Sequence, residues 1–463
     1  MTEPFDRWQH ELVERLHRER QPSLSVAAAR AGDVVWAAAV GDANPLGGQP
    51  LVPTATTRYR VASITKPQVA VAVLALVEAG EVDLAAPMRT WLPDAPAADA
   101  SVAQFLSHTS GLVAEPDGPW WERAGGATWD DLVAMPLGRH EGRIARPGLG
   151  FHYSNLGYAV LGRLLEVVHE RTWHEVLREV VWTPLGMAQT DITGGDDHAV
   201  GVGVHPLRQL VHPEPVPPYL AMGPAGEVWS TPSDLAVFGA FLAGAGDGRG
   251  VLRPDTLALM RHPAALALAE GYPWDEAYGL GLRLQNPDGR VRVLHTGSVP
   301  GFTAQLALDP RTGAALAICG NATHRQTGVQ QWLDEWAAGL PSLVDDAAAG
   351  DGARRPLPEH LVAIGGLWYR GTQPVHVVVR DDEVVLTEVD DPDWRTIVRT
   401  DARGNLLGTS EDFAFGEQLL VDPDHPDDPR WFTLARLHHA RQPYDPASDV
   451  PGGLGDGGWR PWH

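Results

Sequence analysis

Apolar residues follow two regimes along this chain. Up to about residue 340, runs at helical spacing are interleaved with strand-like runs; after residue 358 the runs are short and strand-like throughout. Phe5, Trp8, Leu12 and Leu16 recur at helical spacing among charges, which predicts an amphipathic helix at the start. Residues 24–29 and 34–40, parted by Arg30, Ala31, Gly32 and Asp33, predict a hairpin. From Ser63 a helix is predicted through Val69, Val73, Leu76 and Val77 to Gly80, a suitable C′ glycine. Pro67 falls in its first turns, where a missing N–H costs little. Further helices are expected at 102–107, 156–169, 233–242 and 327–340, and strands at 278–284, 291–295 and 304–308, with a long Pro/Gly-rich loop over 206–224. Strands at both ends with helices between them fit an α+β domain over 1–345, in which terminal helices cover an antiparallel sheet.

Residues 346–358 are small, charged and proline-rich, as in a linker. In 359–463 the short runs 375–380, 383–387, 397–400, 405–408, 418–421 and 431–437 predict a small β-barrel. Gly366-Leu367-Trp368, ahead of the first of them, is similar to the G-x-W opening of lipocalin-like barrels.

Composition narrows the function. The chain has 463 residues, 44% apolar and 21% charged, as expected of a folded protein. A formal charge of −23 repels nucleic-acid phosphates and anionic lipid, so neither is an expected partner. No apolar run of spanning length is apparent, so no membrane segment is expected, and the charged opening lacks an apolar signal core, which predicts a cytoplasmic protein. The single cysteine, Cys319, lies in an apolar run and reads as a small core residue.

Of 36 basic residues, 35 are arginines; the one lysine is Lys66. A GC-rich genome replaces lysine by arginine wherever arginine serves, and arginine fails where a base must lose its proton. Ser63 stands three residues earlier, on the same helix face, and there are 13 serines in all, so the pairing points to function. A serine hydroxyl needs a neighbouring base, and a lysine depressed by burial can be one. No Cys/His spacing suggests a metal, so neither metal nor cofactor is expected. The other histidines, including His438 and His439, read as surface residues.

Two further motifs follow in order: Tyr153-Ser154-Asn155 and His295-Thr296-Gly297-Ser298. With Ser63-Ile64-Thr65-Lys66 they resemble the S-x-x-K, Y-x-N and K/H-T-G elements of the serine β-lactamase and penicillin-binding-protein superfamily, in its class C-like branch. Phe105 to Leu112, Pro184 to Met187 and Ser230 to Leu235 look like the family too. The resemblance implies that Ser63 is acylated and Lys66 is its base. It implies that Tyr153 relays protons, and that Asn155 holds the substrate's acyl-side amide and orients Lys66. The backbone N–H groups of Ser63 and Ser298 would form the oxyanion hole. Read without the resemblance, Tyr153 is a packed phenol and Asn155 a helix N-cap.

His295 replaces the commoner lysine, and a neutral imidazole attracts a free substrate carboxylate weakly, which favours an ester, amide or thioester donor. The appended barrel and the composition resemble the penicillin-binding-protein-type thioesterases. That resemblance implies a peptidyl thioester on a synthetase carrier protein as substrate, released as a head-to-tail macrolactam. A cytoplasmic esterase or D-peptidase acting on a small ester or peptide is the alternative. Arg441 and Arg460 are candidate substrate contacts if the barrel leans over the site, and surface arginines otherwise. Trp120, Trp121 and Trp129 either line a peptide pocket or pack a loop.

Overall fold

Alternation with period two explains the central sheet. In β1 (Ser23–Arg30), Leu24, Val26 and Ala28 point to one face and Ala27 and Ala29 to the other. The computed structural model describes residues 4–47, 49–135, 144–205, 208–244, 250–268, 276–286, 291–323, 329–340, 357–370, 373–389, 395–400, 404–409, 414, 417–435 and 437–442. The chain divides into two units, residues 1–343 and 344–463. The 341–356 stretch, with most of the expected linker, lies outside the described residues.

The first unit pairs β1 with β2 (Asp33–Gly41) as the expected hairpin. It also holds a two-residue strand β3 (Tyr59–Arg60) paired with β4 (Trp229–Ser230). The sheet is completed by β5 (Ala265–Leu268), β6 (Glu276–Tyr278), β7 (Arg283–Gln285), β8 (Arg292–Val299), β9 (Phe302–Asp309) and β10 (Ala314–Gly320). Its eight antiparallel strands run in the order β2-β1-β10-β9-β8-β7-β6-β5. The expected strand at 278–284 is two strands, because the chain reverses at Gly279 to Leu282, where Gly281 takes φ +86°. Strand β10 carries the apolar run around Cys319, whose side chain is buried, and it brings the first strand beside the last ones.

One sheet face is covered by α1 (Phe5–Arg18) and α6 (Val329–Ala338). Trp8 stacks on Trp332 at 5.1 Å, and Phe5 on Trp36 at 5.4 Å. Each such ring pair adds about 0.5–1.5 kcal/mol beyond its burial. The other face packs on the larger core with α2 (Thr65–Ala79), α3 (Val102–Leu106), α4 (Asn155–His169) and α5 (Pro232–Leu242). The caps fit local chemistry: Ser101 and Gln104 form a capping box, Ser154 caps α4, and Thr231 caps α5 ahead of Pro232.

Helix α2 bears on the membrane reading of the sequence. With its leading turn, Ala62–Ala79 is long and apolar enough by length and composition to cross a membrane. Yet 72% of that stretch is buried inside the first unit, so it is the central core helix. Within 206–224 the expected loop contains part of a short ribbon, Val202–Val204 with Val211–Pro213, and the start of a 3₁₀ segment, Leu220–Ala225.

The second unit is a near-closed eight-stranded antiparallel barrel. Its strands are β11 (Gly366–Arg370), β12 (Gln373–Val379), β13 (Val384–Glu388), β14 (Arg395–Thr400), β15 (Leu406–Gly408), β16 (Leu419–Val421), β17 (Trp431–Leu434) and β18 (Leu437–Ala440). Their order is β15-β14-β13-β12-β11-β18-β17-β16, and a bridge between Leu407 and Gln418 links the two ends. Gly366-Leu367-Trp368 is itself the start of a strand, and the expected strand at 431–437 is a hairpin. Trp368 fills the barrel core against Phe432, with its indole N–H donating to Ile364 O at 2.6 Å. His439 is buried there too, stacked on Phe432 at 4.4 Å, and is not a surface residue.

Candidate active site

The nucleophile motif begins where β3 turns into a helix. Ala62–Ile64 form one 3₁₀ turn ahead of α2, and Ala62 takes φ +49°, a left-handed conformation that costs a non-glycine residue about 1–2 kcal/mol. That turn leaves the Ser63 side chain part-exposed above a buried Lys66. Strand β8 closes the other side. A Cβ on Gly297 would stand 2.1 Å from Val61 O and 3.1 Å from Ser63 N, so only a glycine lets the strand run against the nucleophile turn. Ser298, the next residue, is exposed.

Lys66 Nζ lies 3.0 Å from Ser63 Oγ and donates to Ala225 O at 2.6 Å. Burial is the main influence on the amine and pushes its pKa down to about 7; the carboxylates of Glu115 and Glu122 oppose the shift. At neutral pH about half of such an amine is free base, against a few parts in ten thousand for an ordinary lysine. Tyr153 is hydrogen-bonded to the Ser63 side chain, and burial raises its phenol above the usual tyrosine range. These two directions set what each group can do. Lys66 can accept the Ser63 proton, whereas Tyr153 stays a protonated phenol able to pass a proton on.

Asn155 opens α4, but the cap is Ser154, whose Oγ accepts from Gly157 N at 3.0 Å. The Asn155 Nδ2 donates to Glu115 Oε1 at 2.6 Å, and its buried Oδ1 has no protein partner. An acceptor left free in this way suits a substrate N–H. Asn155 does not orient Lys66 as expected; Ser63 and the Ala225 carbonyl do.

His295 is buried on β8. Its Nδ1 donates to Thr296 O at 2.9 Å, and its Nε2 accepts from the Tyr278 hydroxyl at 2.9 Å. Burial first, then Lys66 and Arg283, lower its pKa to about 3, so the ring is neutral at any physiological pH. It supplies no cation for a docking carboxylate.

Several residues of the site escape a motif reading. His108 accepts the Ser154 N–H at Nδ1 (3.0 Å) and lies against Tyr153, Tyr278 and Tyr158, with ring centroids at 4.2, 4.6 and 5.1 Å. It is fully buried, so it is not the surface histidine expected, and it fixes the loop that presents Tyr153. Glu115 takes the Trp121 indole N–H at 2.8 Å as well as Asn155, while Trp120 bonds to Glu122 at 2.9 Å. Trp121 is buried and packs edge-on against Tyr219; Trp120 is exposed and Trp129 packs on the core. Only folding brings these groups to Ser63.

Arg441 belongs to the barrel. Its guanidinium donates to Gly365 O at 3.1 Å and Ala363 O at 2.6 Å and stacks over Trp368 at 3.9 Å, which is a packing role. Arg460 lies outside the described residues.

The β-lactamase family model matches residues 6–340, well over half of the chain. The chain belongs to the β-lactamase family. Curated relatives of this β-lactamase-family enzyme include penicillin-binding protein 4 of Amycolatopsis lactamdurans, 30% identical over 58% of this chain and 73% of that one. Esterase EstB of Burkholderia gladioli is 30% identical over 73% of this chain and 90% of that one. The unguisins hydrolase ungD' of Aspergillus campestris is 29% identical over 48% and 43%. Among solved structures, the octameric penicillin-binding protein homologue from Pyrococcus abyssi covers 94% of this chain and 99% of its own at TM-score 0.61 and 20% identity. SurE in complex with D-Leu covers 94% and 99% at TM-score 0.53 and 21% identity. The D-amino acid amidase from Ochrobactrum anthropi SV3 covers 71% and 95% at TM-score 0.59 and 26% identity. The protein is thus an enzyme of the serine β-lactamase and penicillin-binding-protein superfamily, among esterase, amidase and peptide-hydrolase relatives.

Proposed function

We propose that the enzyme transfers a peptidyl group from a thioester to Ser63 and then to the peptide's own amine. The neutral site carries this reading: Lys66 with a pKa of about 7, beside a His295 that stays uncharged and is closed off by Tyr278. Such a site favours a donor with no free carboxylate at the scissile end and a good leaving group.

In the first step the Ser63 Oγ–carbonyl bond forms and the carbon–sulfur bond breaks. The serine proton passes through Lys66 and Tyr153 to the departing thiolate. In the second, an amine nitrogen bonds the carbonyl carbon, Ser63 Oγ leaves, and the amine's proton returns to it by the same route. The backbone N–H groups of Ser63 and Ser298 hold the oxyanion in both steps. The free Asn155 Oδ1 takes the N–H of the acylated residue. A D-configured residue at that place is supported by the D-Leu complex of SurE and by the D-amino acid amidase. The donor would be carried by a synthetase carrier protein in the cytoplasm, and the product is a head-to-tail macrolactam.

A second reading is hydrolysis, with water in place of the amine. It is supported by the esterase and the unguisins hydrolase among the relatives. Incubation with a peptide thioester ending in a D-residue separates the two by mass. A product one water lighter than the peptide acid, absent with Ser63→Ala, is expected. Free acid alone would replace the cyclase reading by the hydrolase one.

A further inference from the structure

A cavity of about 500 Å³ lies at the β3–β4 pair, walled by Ile192, Val200, Val216, Pro217, Trp229 and Phe302. Arg60, from β3, lines it as well. Its side chain is 1% exposed, yet Nε and Nη1 have no hydrogen-bond partner; the guanidinium stacks on the Tyr219 ring at 4.0 Å. A buried guanidinium N–H without an acceptor carries an uncompensated desolvation cost, which a ligand acceptor there would offset.

The cavity adjoins the reaction site. Arg60 precedes Ser63 by three residues, a span of at most about 11 Å. Glu122 interacts electrostatically with both Lys66 and Arg60, and the Tyr219 hydroxyl donates to Glu122 O at 3.4 Å. Trp121, edge-on to Tyr219, is tied to Glu115, which holds Asn155. The loop carrying Glu115, Trp121 and Glu122 therefore touches both the substrate amide acceptor and the Tyr219 ring on which Arg60 stacks.

The charge balance selects the ligand. Glu122 and Glu227 already face Arg60 electrostatically, and Glu214, also lining the cavity, is paired with Arg123 at 3.0 Å. A further carboxylate would meet these acids, while a neutral carbonyl oxygen satisfies the guanidinium without adding charge. The walls are apolar, as in pockets that take a side chain and fix it with few polar groups.

We propose that this cavity is a subsite for an apolar residue of the acyl donor, two or three residues upstream of the acylated carbonyl, with Arg60 donating to a backbone carbonyl of the donor. The proposal rests on the reading of the donor as a peptide and extends it to sequence preference. A donor of a single amino acid leaves the subsite empty.

The test uses acetyl-Gly-Gly-Gly-D-Ala thioester and versions with one Leu, or one Asp, at each glycine in turn. Thioester loss gives kcat/KM with the wild-type enzyme, and calorimetry gives Kd for the matching peptide amides with Ser63→Ala. Leu at the second or third position upstream is expected to improve both by about tenfold or more over the parent. Asp is expected to give no gain. Val216→Trp, which fills the cavity from a position 51% exposed, is expected to remove the gain, and Arg60→Met to weaken it. Equal values for Leu and Gly everywhere, a preference for Asp, or a gain untouched by Val216→Trp would overturn the subsite. Binding gain without thioester turnover would keep the subsite and overturn the thioester reading instead.

Discussion

Arg60 and Arg441 make the same contact in two different units. Each guanidinium lies over an aromatic ring, at 4.0 Å on Tyr219 and 3.9 Å on Trp368. Arg441 also donates to two backbone carbonyls, and it closes the start of the barrel. Arg60 is more deeply buried, lacks partners at two nitrogens, and faces a cavity. The histidines repeat the contrast. His439 is a stacked core residue of the barrel bonded to Leu437 O, while His108, against Tyr153, has no partner at Nε2. Polar groups that are satisfied hold structure; those buried at a cost and left open mark where a ligand or a proton has to act.

That contrast is open to test, beginning with the largest effect. Lys66→Met is expected to lower the acylation rate about 10²- to 10⁴-fold while leaving the melting temperature equal or higher, because it deletes a desolvated amine. A loss of stability matching the loss of activity would break the contrast. Arg441→Met is the mirror case: denaturant unfolding of the barrel should show a loss of about 2 kcal/mol, with Ser63 acylation unchanged in a mass-spectrometric assay. Arg60→Met should cost little or no stability, read in the same melts, while weakening peptide binding.

The smallest effects are on pH. Lys66 must be deprotonated to act, so kcat/KM should rise about tenfold per pH unit up to about 7 and then level off. His295, held neutral down to about 3, should add no second limb between pH 5 and 8. Glu115 raises the Lys66 pKa, so Glu115→Gln should move the limb to lower pH; a shift to higher pH would contradict the placement of that carboxylate.

Much of this was legible in the residues. The solitary lysine three positions after a serine identified the nucleophile pair, since arginine cannot replace a base that must be neutral. Helix caps and the glycine at position 80 were readable because capping is local chemistry. Short segments were misread for a physical reason. The runs 278–284 and 431–437 are rich in apolar residues on both sides of their turns, and such a pattern does not show where a chain turns back. By length and composition α2 also resembles a membrane span, since a mostly buried core helix and a span share one composition.

By itself, then, the sequence determined which side chains can do acyl chemistry, in what order they occur, and that a barrel follows the catalytic unit. Tertiary structure decided their state. Burial set the Lys66 amine near neutrality and discharged His295, and the approach of Gly297 to Val61 set the nucleophile turn. Packing alone also left two Arg60 nitrogens without acceptors and gave Arg441 two carbonyls. Desolvation and hydrogen-bond satisfaction depend on residues far apart in the chain, so no local pattern encodes them.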